Sequence, residues 1–259
     1  MSDVEPSLVA ATPVVDVWAA DLDLATVVAA ATATALSAEE MRRAARFHDS
    51  TARNRFIERR AILRKLLAHY LAADPTGITI SSGEEGKPFL AHSDLRFSVA
   101  HSANAAVYAF ARNREIGIDV EYRDPNLCTF ELATAFFAPA EIAAIEEANA
   151  GRRLLAFYRC WTRKEAYLKA RGCGLTRSLS DFAISCGAEA RLLYDRQDST
   201  ALTSWFVVDL PEVARDGFTA ALAFEHAIAS SPPAVVWHNF SETAELCAIS
   251  ALPRRAVST

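Results

Sequence analysis

A chain of 259 residues, 51% hydrophobic and 23% charged, has room for one large core or two domains of ordinary size, and it is neither disordered nor collagen-like in composition. Its formal net charge of −5 argues against a protein that coats nucleic acid or an anionic membrane. Residues 42–65 reverse that average: nine Arg or Lys stand against Asp49 and Glu58, a local charge of +7 that leaves −12 for the rest. Such a stretch suits a small anionic ligand better than a long polyanion.

The N-terminal MSDVEPSLVAATPVV has two acids and no basic residue before its apolar part, so it lacks the start of a secretory signal. ATVVAAATATAL at 25–36 is too short and too rich in Ala and Thr to span a bilayer. A cytoplasmic protein is expected. Val14 to Ala20 reads as a first strand. Ser37 with Glu40 predicts a capping-box start for a helix ending near Phe47. A longer helix is expected from about Ala52 to Ala72, with Phe56, Leu63, Leu66, Leu67 and Tyr70 inward and its arginines largely on the wet side. From Gly77 the texture changes to short strands and turns: ITI, the turn GEEGKPF, LRFSVAH, AVYAFAR and IGIDVEY. Helical patterns return at 129–149 and 152–170. DFAIS, RLLYD, SWFVVDL, FTAALAFE and AVVWHNF then read as a closing set of strands, and the tail after Phe240 has no periodic signal.

This order predicts two α+β halves meeting near residue 116. The five cysteines, Cys128, Cys160, Cys173, Cys186 and Cys247, form no CxxC pair and have no His at zinc-like spacing. They are expected to be reduced and structural.

Two stretches carry chemistry. In IGIDVEY, Ile116, Ile118 and Val120 share one strand face, and Gly117, Asp119 and Glu121 share the other. In FYRCWTRKEAYLKARG, 157–172, Trp161, Glu165 and Lys169 line one face of a helix. Alone, Glu165 and Lys169 read as a surface ion pair worth ~0.2–0.5 kcal/mol, and Asp119 with Glu121 as a solvated sheet face. Together, three converging carboxylates call for a cation, and an all-oxygen set suits Mg²⁺ or Mn²⁺ over zinc. Lys169 is placed to contact a phosphate or leaving oxygen on the same site.

IGIDVE followed some 40 residues later by WTRKEAYLK resembles the paired signature of the Sfp-type 4′-phosphopantetheinyl transferases, in the branch with Trp and Lys-Glu-Ala. The Arg-rich helix, GKPFL and FSVAHS fall in the expected order upstream, so the resemblance covers roughly residues 37 to 175. It implies an α+β fold of two similar subdomains related by a pseudo-twofold, with the active site in the cleft between them. Residues 1–115 would make the coenzyme A nucleotide contacts and 116–240 would carry the metal and catalytic residues; 241–259 is a tail. The implied reaction is Mg²⁺-dependent transfer of the phosphopantetheine arm of coenzyme A to a serine of an acyl, peptidyl or polyketide carrier protein, releasing adenosine 3′,5′-bisphosphate.

By motif position, Asp119, Glu121 and Glu165 would hold the metal, Glu165 would act as metal ligand or base, and Lys169 would stabilise charge on the pyrophosphate. Arg43, Arg55, Lys87 and His101 correspond to nucleotide and phosphate contacts. Many relatives have Ser before this His, where this chain has Ala100; a backbone amide or Ser102 is the candidate substitute donor. A monomer is expected, with neither nucleic acid nor membrane as partner. The rival readings are a non-catalytic coenzyme A or carrier-domain binder, and a Mg²⁺-dependent nuclease.

Overall fold

The computed structural model describes residues 14–23, 34–213, 217–226 and 233–240. Strand β1 (Val14–Asp21) leads to helix α1 (Ala38–Ala44), whose capping box is reciprocal: Ser37 Oγ accepts from Glu40 N at 3.2 Å, and Glu40 Oε2 accepts from Ser37 N at 2.9 Å. Helix α2 (Ser50–Leu71) starts on Asp49, whose carboxylate accepts from Ala52 N, and stops at Ala72, a left-handed residue with φ 51°. One expectation for α2 fails. Arg64 is buried, not wet, because Glu40 and the carbonyls of Pro75 and Ile78 satisfy its guanidinium. That bond also explains why ITI at 78–80 is not a strand. Ile78 packs on α2 while its carbonyl serves Arg64, and the hairpin of β2 (Ser81–Ser82) and β3 (Pro88–Phe89) begins after it.

Strands β4 (Leu95–Ser102), β5 (Ala105–Arg112) and β6 (Ile116–Tyr122) follow, then helices α3 (Thr129–Phe136), α4 (Pro139–Glu147) and α5 (Ala150–Arg171). The remaining strands are β7 (Phe182–Ile184), β8 (Leu192–Asp195), β9 (Trp205–Asp209), β10 (Phe218–Glu225) and β11 (Ala234–Asn239). One sheet has the order β11-β1-β5-β4 and another β6-β10-β9. The expected α+β class is observed. β11 does not stay with the closing strands, however: it returns to the first sheet and pairs parallel with β1.

Side-chain alternation builds four layers. Val107, Ala109 and Ala111 of β5 face Ile116, Ile118 and Val120 of β6 and Leu222 of β10 in the core between the sheets. The opposite face of the first sheet, with Trp18, Phe97, Tyr108 and Phe110, is covered by Ile62, Leu63, Leu66 and Leu67 of α2. The opposite face of the second carries Gly117, Ala221 and Ala223 and is covered by α5. Aromatic side chains thus hold α2 away from its sheet, whereas small residues let α5 lie close on its own.

Among the described cysteines, all free, Cys160 and Cys186 are buried and Cys128 is exposed. Cys247, the tail after residue 240 and most of the bland run at 25–36 lie outside the described residues. No helix among the described residues is long and apolar enough to cross a membrane.

Candidate active site

The close approach of α5 to β6 depends on Gly117. A Cβ there would fall 2.1 Å from the Ala166 carbonyl oxygen and 2.2 Å from the Ala170 nitrogen, inside any permissible contact. With the helix seated on this glycine, Asp119 lies under α5, 4% exposed, and Lys169 Nζ meets its Oδ1 at 2.6 Å. The other oxygen, Oδ2, is buried without a hydrogen-bond partner. Burial pushes the Asp119 carboxyl up to about 7; Lys169 opposes the shift, and the charges of Glu121 and Glu165 add to it. Glu165 is raised as well, by burial first and by Glu121, against Lys169. Mutual repulsion therefore couples the three acids of the two motifs.

Glu121, at the open end of β6, is held by a strand of the other sheet. β4 runs beside β6, and two of its serines replace a backbone ladder. Ser98 Oγ accepts from Ile118 N at 3.1 Å and Ser102 Oγ from Tyr122 N at 3.0 Å, while Ser102 Oγ donates to Glu121 Oε2 at 2.7 Å. Ser102 is therefore committed to β6 and is no substitute for the hydroxyl missing at Ala100, whose own side chain is packed in the core between the sheets. His101, between them in sequence, is exposed on the α2 side. Partial desolvation on its covered side, then the charges of Arg59 and Lys169, push its imidazole down to about 4.

Asp119, Glu121, Glu165, Lys169 and His101 thus interact at one place. The other expected contacts already have partners within the protein. Arg55 makes a two-pronged ion pair with Asp23, at 2.8 and 2.6 Å. Lys87 bonds Glu115 Oε2 at 2.7 Å and the Ala170 carbonyl at 3.0 Å, and with Phe89, Arg96 and Phe97 it lines a cavity of about 550 Å³. Arg43 lies over the Phe56 ring at 5.3 Å, joined there by Arg59 at 5.2 Å. Arg59 was not singled out from the sequence, being one of nine cations in its stretch.

The rest of WTRKEAYLK fixes the helix. Trp161 stacks on Phe157 at 5.8 Å. Arg163, fully buried, is bidentate to Asp209 at 2.7 Å. Lys164, also fully buried, donates to both oxygens of Glu141 at 2.7 and 2.8 Å and to the Phe182 carbonyl at 2.7 Å. Successive residues 163 to 165 therefore point to a wall, a buried acid and the site.

Among the described residues no three of His, Cys, Asp and Glu converge tightly enough to form a ready-made metal cage. The donor chemistry still fits a hard cation. An orphaned, buried carboxylate oxygen stands beside two further acids that raise its pKa, and Mg²⁺ is ordinarily held by one or two carboxylates with water and substrate phosphates. In the described structure, the Lys169 ammonium supplies the only positive charge bonded to Asp119.

Comparison with known proteins identifies the family of the chain. Residues 115–223 match the 4'-phosphopantetheinyl transferase superfamily, and residues 26–113 match the 4'-phosphopantetheinyl transferase N-terminal family. The chain is 37% identical over 176 residues to the 4'-phosphopantetheinyl transferase HetI of Nostoc sp. (strain PCC 7120), covering 66% of this chain and 74% of that protein. It is 31% identical over 151 residues to a 4'-phosphopantetheinyl transferase of Bacillus subtilis, covering 58% and 66%. To the 4'-phosphopantetheinyl transferase Sfp of Bacillus subtilis (strain 168) it is 26% identical over 165 residues, covering 63% and 72%. The paired motifs, the α+β fold and these matches make the chain a member of the 4'-phosphopantetheinyl transferase superfamily, of the Sfp type.

Proposed function

We propose that this chain transfers the 4′-phosphopantetheine arm of coenzyme A to a serine of an acyl, peptidyl or polyketide carrier protein, with Mg²⁺ or Mn²⁺ bound, as a monomer in the cytoplasm. The observation that carries the reading is the unpartnered Oδ2 of Asp119, buried between Lys169 on one oxygen and two more acids. Asp119 and Glu121, with Glu165 opposite, are the residues that would hold the metal. When bound, it would neutralise the pyrophosphate of coenzyme A.

The carrier serine attacks the phosphorus next to the pantetheine. A bond forms from its oxygen to that phosphorus, the pyrophosphate bridge breaks, and adenosine 3′,5′-bisphosphate leaves. Glu165 takes the serine proton, directly or through a water. Lys169 stabilises the negative charge that builds on the leaving phosphate. His101 is suited to a hydrogen bond with a phosphate of the coenzyme. Arg43 and Arg59 are suited to the 3′-phosphate, and Lys87, beside its cavity, to the nucleotide end. Arg55 would reach a phosphate only by exchanging Asp23 for it.

Intact-mass measurement of an apo carrier domain incubated with the protein, coenzyme A and Mg²⁺ tests the proposal. A gain of one phosphopantetheine, lost when the metal is chelated, is expected. No gain on acyl, peptidyl and polyketide carriers would leave only a coenzyme A binder.

A further inference from the structure

Glu121 is tied on one side only. Ser102 Oγ gives its single proton to Oε2, at 2.7 Å, and receives the Tyr122 N–H on a lone pair at 3.0 Å. The mount of this hydroxyl is stiff. Ser102 is the last residue of β4, paired with Ala105 across a tight turn. Ala103 in that turn is left-handed, with φ 49°. Asn104 then anchors the turn to the end of β1: its side chain donates to Asp21 at 2.9 Å and its carbonyl accepts from Leu22 N at 2.7 Å. A serine at the end of one sheet thus sets the attitude of a carboxylate at the edge of the other.

Asp119 repeats the pattern. Lys169 holds Oδ1, and Oδ2 is left without a partner. Each strand carboxylate therefore has one oxygen bonded within the protein, which disfavours two-oxygen chelation by either. This matters for the choice of cation. Mg²⁺ is small and demands near-octahedral single-oxygen contacts, whereas Ca²⁺ takes six to eight oxygens and readily accepts bidentate carboxylates.

We propose that Ser102 is a positioning residue that presents Glu121 to the metal through a single oxygen, biasing the site toward Mg²⁺ and Mn²⁺ over Ca²⁺. The inference rests on the transferase reading of the site but concerns a residue that touches neither coenzyme nor carrier in that reading.

The test is Mn²⁺ binding, read as loss of the free-ion electron paramagnetic resonance signal. It is made on the full chain with coenzyme A present and no carrier, so that no turnover occurs, with Mg²⁺ and Ca²⁺ as competitors. Loss of an outer-shell partner of this kind is expected to weaken Mn²⁺ by about 10-fold in Ser102→Ala. The same variant should shift competition toward Ca²⁺. Ser102→Thr, which keeps the hydroxyl, should restore both. Thermal unfolding of each variant separates this effect from loss of the Tyr122 bond: Ser102→Thr must match wild type in both melting and metal preference.

Wild-type Mn²⁺ affinity and an unchanged Ca²⁺ to Mg²⁺ ratio in Ser102→Ala would overturn the role of Ser102. If at the same time Glu121→Gln abolished Mn²⁺ binding, the metal site itself would stand. Failure of wild-type protein to bind Mn²⁺, or indifference to Glu121→Gln, would overturn the metal reading and the inference with it.

Discussion

Lys169 Nζ sits 2.6 Å from one oxygen of Asp119, and the other oxygen of the same carboxylate is buried with no partner. A charge so placed is held for a purpose other than stability, because burial raises the carboxyl more than Lys169 lowers it. Asp119→Asn should therefore raise the unfolding midpoint while abolishing transfer, with roughly 2–4 °C expected for each kcal/mol of relief. Lys169→Met should do the opposite to stability, since it strips a buried carboxylate of the cation bonded to it, and should cost ~10²–10³ in turnover. Calorimetry and carrier-modification rates on the two variants check both signs.

Gly117 sets the distance between the two halves of the site. Gly117→Ala puts a methyl against the Ala166 carbonyl and the Ala170 nitrogen, both backbone atoms that no rotamer change can move. Overpacking of this kind costs about 1–3 kcal/mol or more. The helix must lift, carrying Glu165 and Lys169 away from Asp119. Turnover should consequently fall further than the loss of stability accounts for, measured at a temperature where the variant remains folded.

The Lys-Glu dipeptide at 164–165 divides its labour. Lys164 is buried with Glu141, whose carboxylate also accepts from Ile184 N and Ala138 N at 2.7 and 2.8 Å. Removing one partner leaves an uncompensated buried charge, so Lys164→Met or Glu141→Leu alone should cost ~3–5 kcal/mol. Urea unfolding of the double variant should show less than the sum of the two single losses, because the unpaired charge is gone while the Ala138 and Ile184 N–H groups stay without their acceptor. If Lys164 took part in the chemistry, the double variant would be inactive even at a temperature where it is folded; transfer by the folded double variant is expected.

Acid sensitivity should originate partly in Glu40. Burial pushes its carboxyl up, but the Ser37 N–H with Arg60 and Arg64 outweighs that and holds it below its ordinary 4.5. As pH falls below 4.5, the unfolded chain takes the proton before the folded one does, so this stabilisation is complete above that value and is lost through the lowered one. Glu40→Gln should be less stable than wild type at neutral pH and should lose less on acidification. Thermal unfolding across the acid range reads the difference.

Much of the site was legible in the chain because its signals are local. Strand alternation in IGIDVEY separates the core-facing isoleucines from Asp119 and Glu121, and helical spacing aligns Glu165 with Lys169. The capping box at Ser37 and the end of α2 before Asp74 were equally local. What escaped depends on partners remote in sequence. Arg64, Arg163 and Lys164 look like wet helix charges until Glu40, Asp209 and Glu141 arrive from elsewhere. Ser102 reads as a strand end, and only the meeting of the two sheet edges makes it a support for Glu121. Nor does any local pattern tell that β11 crosses back to β1, since its alternation would fit either sheet.

Glu165 is the acid that α5 brings to the strand carboxylates. The decisive measurement is the rate of phosphopantetheine transfer to an apo carrier domain by Glu165→Gln, followed by intact mass, with circular dichroism showing the variant folded. The account predicts loss of transfer by at least ~10² with coenzyme A still bound. Transfer by Glu165→Gln at the wild-type rate would contradict it.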